Sequence, residues 1–185
     1  PIKIDKQNIK NTIATNPVIP EAMPYMSAGI GGNMQVRSIT DPVDKGRVMH
    51  GGKLPYYNAL AGIVKSGKQG ARGGSMNQYY PAFDPEVQTI MRLVNPRTPV
   101  DRRNRKLDFT MMLNQFFLDK SAKDEDIFTF NVFTAPDLYN AFYSKDISKF
   151  VELYNTYEND PNFVKNYISA RDVVVGARSE GFETG

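Results

Sequence analysis

A run of glycines in the middle of the chain, at residues 67–74, sets the strongest limit on how this sequence can fold. Four of these eight residues are glycine, and Lys68, Gln69 and Arg72 lie between them. Glycine destabilises the interior of a helix or strand and adopts backbone conformations that other residues avoid. The run therefore predicts a loop, which ends a helix predicted over 56–64 from the spacing of its apolar residues.

The same run is also a candidate binding loop. Closely spaced glycines free the backbone to present N–H groups to an anion. Lys68 and Arg72 add positive charge, and the amide of Gln69 can bond to the edge of a base. The run does not match the P-loop, because no Gly-Lys-Ser/Thr follows at the required spacing. From the residues alone, a surface loop without a ligand is the favoured explanation.

Two other stretches attract attention and carry weaker signals. The glycines at 29–32 do not follow the strand–glycine–helix order of a dinucleotide site, so close backbone packing is favoured there. Arg37, just beyond them, can pair with a phosphate, although a solvated surface charge is the commoner role for a lone arginine. The basic stretch 97–106 could contact nucleic-acid phosphates. No aromatic residue interleaves the run at 102–106, so a solvated loop is favoured.

The rest of the chain alternates predicted strands and helices, which is typical of the α/β class. Apolar residues alternate at 107–111 and 127–132, which predicts strands, and Phe128, Phe130, Phe133, Phe142 and Tyr143 are the predicted core aromatics. Predicted helices are 114–119, 135–143, 149–157, one that starts at 84–86, and a last one from 160 to about 177. Residues 1–52 are predicted to be irregular apart from a strand-like stretch near 34–39.

Composition excludes several classes of protein. The 185 residues are 41% hydrophobic and 23% charged, which is the range of a folded globular domain. The net charge of +3 is too small to indicate a nucleic-acid-binding protein by itself. The sequence has no cysteine and a single histidine, His50, which argues against a disulfide scaffold, a zinc site and a catalytic triad. With no apolar run long enough to cross a membrane, we expect a cytoplasmic protein.

Several segments taken together resemble the large, catalytic (alpha) subunit of class I ribonucleotide reductase. They occur in the order of that family, from residue 28 to about 177. The matching segments are AGIG at 28–31, KS at 65–66 with QGARGG at 69–74, YP at 80–81 with PEV at 85–87, RNRKLDF at 103–109, LYNAFY at 138–143 and LYNTYENDP at 153–161.

The resemblance implies an α/β fold that is part of a ten-stranded barrel. It divides the chain into a divergent N-terminal segment, 1–27, and a partial reductase barrel domain, 28–185. The family reduces ribonucleoside diphosphates, and the stretch that matches the glycine run lies there between an effector site and the substrate base. By this resemblance Arg37 binds effector phosphates. The implied specificity loop is Ser66, Gly67, Lys68, Gln69, Gly70, Ala71, Arg72, Gly73 and Gly74.

The resemblance also implies what other polypeptide segments have to supply. The family's redox and radical cysteines have no counterpart here, so we expect no catalytic residue, no metal site and no bound cofactor in this chain, with a nucleoside triphosphate as its effector. The match is expected to begin after the first redox cysteine and to end before the radical cysteine, as in a split, phage-type gene. Expected partners are the remaining large-subunit segments, the radical-generating small subunit and nucleotides, rather than a membrane or a nucleic acid.

Two alternatives stay open at this point. The missing cysteines and the altered residues 1–27 also suit a non-catalytic, reductase-derived binding or structural protein. Arg37 and the run at 67–74 suit a nucleotide-sensing module. A cysteine-bearing partner distinguishes the first alternative from a reductase subunit, and binding of a deoxynucleoside triphosphate tests the second.

Overall fold

The computed structural model describes residues 51–66, 75–144 and 146–184, and before them the backbone of five short strands. The strands are β1 (Ile2–Ile4), β2 (Ile30–Gly32), β3 (Met34–Val36), β4 (Pro42–Val43), β5 (Val48–Met49), β6 (Met76–Pro81), β7 (Asp108–Met112), β8 (Asp126–Phe128) and β9 (Tyr167–Ser169). The helices are α1 (Leu54–Ser66), α2 (Val87–Met91), α3 (Gln115–Ala122), α4 (Pro136–Phe142), α5 (Ile147–Asn159) and α6 (Ala170–Thr184), with a 3-10 turn at Val100–Arg102.

A three-stranded parallel sheet of order β2-β6-β7 is the largest sheet in this part of the chain. Parallel neighbours require a crossover between them, and α1 and α2 lie in the two crossovers. The other pairs are β1 with β3, β4 with β5, and β8 with β9. The expected α/β class is therefore confirmed, with three strands of the principal sheet described.

The core is an aromatic cluster centred on Phe83, which is fully buried. Its ring lies 5.2–5.9 Å, centroid to centroid, from the rings of Phe117, Phe130, Phe142, Phe150 and Tyr154. Edge and tilted contacts of this kind add stabilisation to the burial of the rings themselves. The cluster joins α3, α4 and α5 to the turn that follows β6.

Most of the predicted core aromatics and four of the predicted helices are confirmed. Phe128, Phe130 and Phe142 are buried, Phe133 is partly buried, and Tyr143 is 39% exposed, outside the core. The predicted helices at 56–64, 114–119, 135–143 and 149–157 correspond to α1, α3, α4 and α5. A local signal accounts for the start of α3, where Asn114 Oδ1 accepts a hydrogen bond from Phe117 N at 2.9 Å.

The predicted last helix is wrong at its start. Helix α6 begins at Ala170 rather than near residue 160, and it continues to Thr184. Residues 167–169 form β9, which pairs antiparallel with β8. Pairing with a strand some forty residues earlier outweighs the helix-start signal of Asp160-Pro161.

The predicted strand at 127–132 is shorter than expected, because β8 ends at Phe128. Beyond it, Phe130 N donates to Phe83 O at 2.9 Å, and the side chain of Asn131 accepts from Phe133 N and Thr134 N. These bonds turn the chain away from the sheet. Phe128 therefore ends β8, and Phe130 and Val132 are buried in the connection that follows it.

The predicted helix start at 84–86 is displaced by a few residues. Helix α2 begins at Val87, and the carboxylate of Asp84 accepts from Glu86 N at 2.9 Å within the preceding turn.

Strand β6 was not predicted, because Asn77 and Gln78 give its sequence little strand character. His50 lies outside the described residues. None of the described helices is long and apolar enough to span a bilayer.

Candidate functional site

Helix α1 and strand β6 flank the glycine-rich run. Ser66 is the last residue of α1, and Ser75 is exposed immediately before β6. The other residues predicted for the specificity loop and the effector contact lie outside the described residues. These are Gly67, Lys68, Gln69, Gly70, Ala71, Arg72, Gly73, Gly74 and Arg37.

Side-chain contacts along one side of α1 define its direction across the sheet. Near its start, Lys53 forms an ion pair with Asp84, which follows the carboxyl end of β6. Further along, the ring of Tyr57 packs edge-on against Phe109 of β7, with 5.1 Å between centroids. Asn58 Oδ1 accepts from Asn104 Nδ2, before the amino end of β7, at 3.1 Å. Helix α1 therefore runs antiparallel to the strands and ends, at Ser66, toward the amino edge of the sheet.

The ion pair at the start of α1 is buried. Lys53 and Asp84 are 5% and 1% exposed, and Glu86 Oε1 accepts from Lys53 N at 3.2 Å. Gly52 has a φ of +73°, and a Cβ there would lie 2.4 Å from the same Glu86 oxygen. Burial raises the pKa of the Tyr57 phenol well above its usual range, and the charges of Asp84 and Glu86 add to the shift. Such a closed cluster fixes where α1 begins.

The sheet carries an uncovered face of four polar side chains. On β6 and β7 the residues alternate, so that Met76, Gln78, Tyr80, Phe109 and Met111 point toward the core side. The other side of these strands carries Asn77, Tyr79, Asp108 and Thr110, which we call the uncovered face. Parallel sheets are normally covered on both faces, so an exposed face of this kind is unusual for such a sheet.

Hydrogen bonding organises the uncovered face. Asn77 Nδ2 donates to Thr110 Oγ1 at 2.9 Å, and Thr110 Oγ1 donates to Asn77 Oδ1 at 3.1 Å. This reciprocal pair crosses from β6 to β7, and it lies beside Asp108, which is exposed, and Tyr79, which is 36% exposed. Sequence analysis missed these residues. The polar residues at alternate positions 77 and 79, and 108 and 110, were the signal that could have found them.

The basic connection between α2 and β7 is exposed, as predicted for a solvated loop, and two of its arginines lie beside carboxylates of α6. Arg97 pairs with Glu183 at 2.9 Å, and Arg92 lies 3.9 Å from Glu180, both on α6. Between them, the buried Asn95 donates to both carboxylates, at 2.6 and 2.8 Å. These groups line an open cavity of about 560 Å³, whose positive and negative charges are largely paired with each other.

Comparison with known proteins supplies an independent finding. A family model described as the ribonucleotide reductase barrel domain matches residues 13–185. The chain is 34% identical over 160 residues to the ribonucleoside-diphosphate reductase subunit alpha of Buchnera aphidicola from Acyrthosiphon pisum, which is 85% of this chain. It is 33% identical over 160 residues to subunit alpha of reductase 1 of Escherichia coli K12, and 34% identical over 149 residues to the phage T4 subunit alpha.

The matched region is a small part of each relative. It covers 21% of the Buchnera aphidicola and Escherichia coli proteins and 20% of the phage T4 protein. The chain therefore spans about a fifth of the length of the curated relatives it matches.

Proposed function

Because the chain belongs to the ribonucleotide reductase barrel-domain family, we propose that it forms part of the barrel of a ribonucleoside-diphosphate reductase large subunit. In this proposal it contributes the segments that choose among nucleotides. The 185 residues contain no cysteine, so the redox and radical thiols come from other segments of the large subunit. The radical-generating small subunit is the second proposed partner.

One observation carries the proposal: the parallel sheet of β2, β6 and β7 leaves one of its faces uncovered in the part of the chain that the structure describes. Proteins usually bury both faces of a parallel sheet, and a barrel does so by closing the sheet on itself. Strand β7 is at the edge of the sheet in the described residues, and an apolar cavity of about 220 Å³ between β7 and α6 adjoins it. Further strands of a ten-stranded barrel would pair with this edge and enclose the uncovered face.

The glycine-rich run is the part of the chain that would transmit the identity of the effector. In the proposal, Gln69 and Arg72 contact the substrate base or the effector, and Arg37 binds effector phosphates. A glycine-rich segment can hold different arrangements when different nucleotides bind, and each nucleotide stabilises the arrangement that it binds more tightly. Linkage then requires that the substrate changes effector affinity by the same factor.

The test is substrate choice in the assembled enzyme. The chain is combined with the remaining large-subunit segments and the small subunit, and reduction of the four ribonucleoside diphosphates is measured with each deoxynucleoside triphosphate. We expect Gln69→Ala and Arg72→Ala to reduce the effector-dependent preference among the substrates by about tenfold, because each change removes one or two hydrogen bonds. The matched control is Arg178→Ala, an exposed position on α6, which should leave the preference unchanged.

The same experiment separates the alternatives. Absence of deoxynucleotide formation by the complete wild-type assembly contradicts the proposal. If the chain also binds no nucleotide, a reductase-derived structural protein is the better description. If it binds deoxynucleoside triphosphates without any reduction, it is a nucleotide-sensing module.

A further inference from the structure

Arg105 and Lys106 differ from the other basic residues of the α2–β7 connection. Arg92, Arg97 and Arg102 each lie within 4 Å of a carboxylate, and Arg103 Nη1 donates to Pro96 O at 3.0 Å. The side chains of Arg105 and Lys106 are exposed and have no ion-pair or hydrogen-bond partner among the described residues. Two neighbouring cations are thus available to a ligand.

The two cations lie before the amino end of β7, which pairs in parallel with β6, the strand that follows the glycine-rich run in the sequence. Pairing of β6 with β7 starts at Asn77 opposite Asp108. Ser75 immediately precedes β6 and Lys106 lies two residues before β7, so both lie just before the amino ends of two neighbouring parallel strands. Ser75 directly follows residues 67–74 in the sequence, so the two cations and the end of that run belong to the same edge of the sheet by chain order.

The backbone that carries the two cations is held firmly. Asn104 is buried, its N–H donates to Leu93 O at 2.8 Å, and its Oδ1 accepts from Lys106 N at 3.0 Å. Asn104 also donates to Asn58 on α1. A fixed backbone reduces the entropy lost when the side chains bind an anion, which favours a specific contact.

We propose that Arg105 and Lys106 bind the polyphosphate of a nucleotide held at this edge, an inference that rests on the proposed function. A guanidinium can bond two phosphate oxygens at once, and an ammonium adds a compact charge. The phosphates could belong to a ribonucleoside diphosphate substrate or to a deoxynucleoside triphosphate effector. A nucleic acid is the less favoured ligand, because no aromatic side chain for base stacking interleaves residues 102–106.

Calorimetry on the assembled large subunit tests the inference with three probes: a ribonucleoside diphosphate, a deoxynucleoside triphosphate and pyrophosphate. The variant R105Q/K106Q removes both charges and keeps the side-chain lengths similar. We expect the Kd for pyrophosphate and for one of the two nucleotides to rise about tenfold or more, since bonds to charged groups are lost. The nucleotide that is affected identifies the source of the phosphates.

The charge-matched control is R97Q/R102Q in the same connection, whose cations already lie beside Glu183 and Asp101. The control should change each Kd less than twofold, and R105K/K106R should restore most of the binding. The inference is overturned if the control variant raises the Kd values as much as R105Q/K106Q does, or if R105Q/K106Q leaves them unchanged. In either case the proposed function still stands if the wild-type assembly is active. Tighter binding of single-stranded DNA than of any nucleotide, lost in R105Q/K106Q, also overturns it. A wild-type assembly that binds no nucleotide removes both proposals.

Discussion

At the scale of single residues, two glycines next to or inside α1 have opposite roles. Gly52 has a positive φ and would bring a Cβ to 2.4 Å from Glu86 Oε1, whereas a Cβ at Gly62 meets nothing within 4 Å. The first glycine is required by backbone conformation and by a close approach. The second lowers helix stability and gives no packing advantage within the described residues.

Substitution by alanine should separate the two roles. Gly52→Ala is expected to lower the free energy of unfolding by about 2 kcal/mol or more, from left-handed backbone strain and displacement of Glu86. Gly62→Ala, its matched control, should raise it by about 0.5–1 kcal/mol through helix propensity. Thermal denaturation followed by circular dichroism measures both. Equal effects of the two changes would contradict this assignment.

At the residue scale, the sequence could predict candidate ligand-binding residues only where composition is unusual. The glycine run and the basic stretch stand out because their residue types are concentrated. Asp108 and Thr110 belong to an ordinary strand, and their importance arises because neither is covered in the sheet. The sequence also does not show which basic residues are paired. Their partners Glu180 and Glu183 lie on α6, some eighty residues away in sequence.

At the scale of elements, the ion pair between Lys53 and Asp84 anchors α1 to the end of β6. Lys53→Met should lower the free energy of unfolding by about 3–5 kcal/mol, because it leaves a buried carboxylate without its cation. The double variant K53M/D84N removes both charges and keeps an acceptor for Glu86 N. Its free energy of unfolding should therefore fall clearly less than that of Lys53→Met. Urea denaturation compares them. A double variant that is as unstable as the sum of the two single variants would contradict a coupled pair.

Elements whose signals are local were predictable, and those that depend on distant partners were not. Helices α3 and α5 are capped by Asn114 and Asp146, whose side chains accept from backbone N–H groups three residues on. Strand β9, by contrast, exists because β8 is available to pair with it. Strand β6 has polar residues on both sides and is fixed by pairing with β2 and β7.

At the scale of the whole molecule, buried tyrosines should make the fold sensitive to alkali. Burial raises the pKa of Tyr57, Tyr80 and Tyr154 above the usual value, and the charge of Asp84 contributes at Tyr57 and Tyr80. A phenol with a raised pKa in the folded state contributes stability that is complete below pH about 10, the unfolded pKa. The contribution is lost as pH rises further, by about 1.4 kcal/mol per pH unit for each group.

Alkaline titration tests this directly. The late phase of tyrosinate absorbance should coincide with the loss of circular dichroism, because these phenols ionise only when the chain unfolds. Tyr80→Phe should diminish the late phase. Complete ionisation near pH 10 with unchanged circular dichroism would contradict the burial of these side chains.

The position of Tyr79 has a practical consequence. Tryptophan is absent from the 185 residues, so the chain has no indole fluorescence of its own. Tyr79 is 36% exposed on the uncovered face, and an indole there would respond to whatever arrives beside it. Emission from Tyr79→Trp would move toward the blue when the indole passes from water into a closed barrel. A single optical signal would therefore report in real time when the uncovered face becomes covered, without any assay of activity.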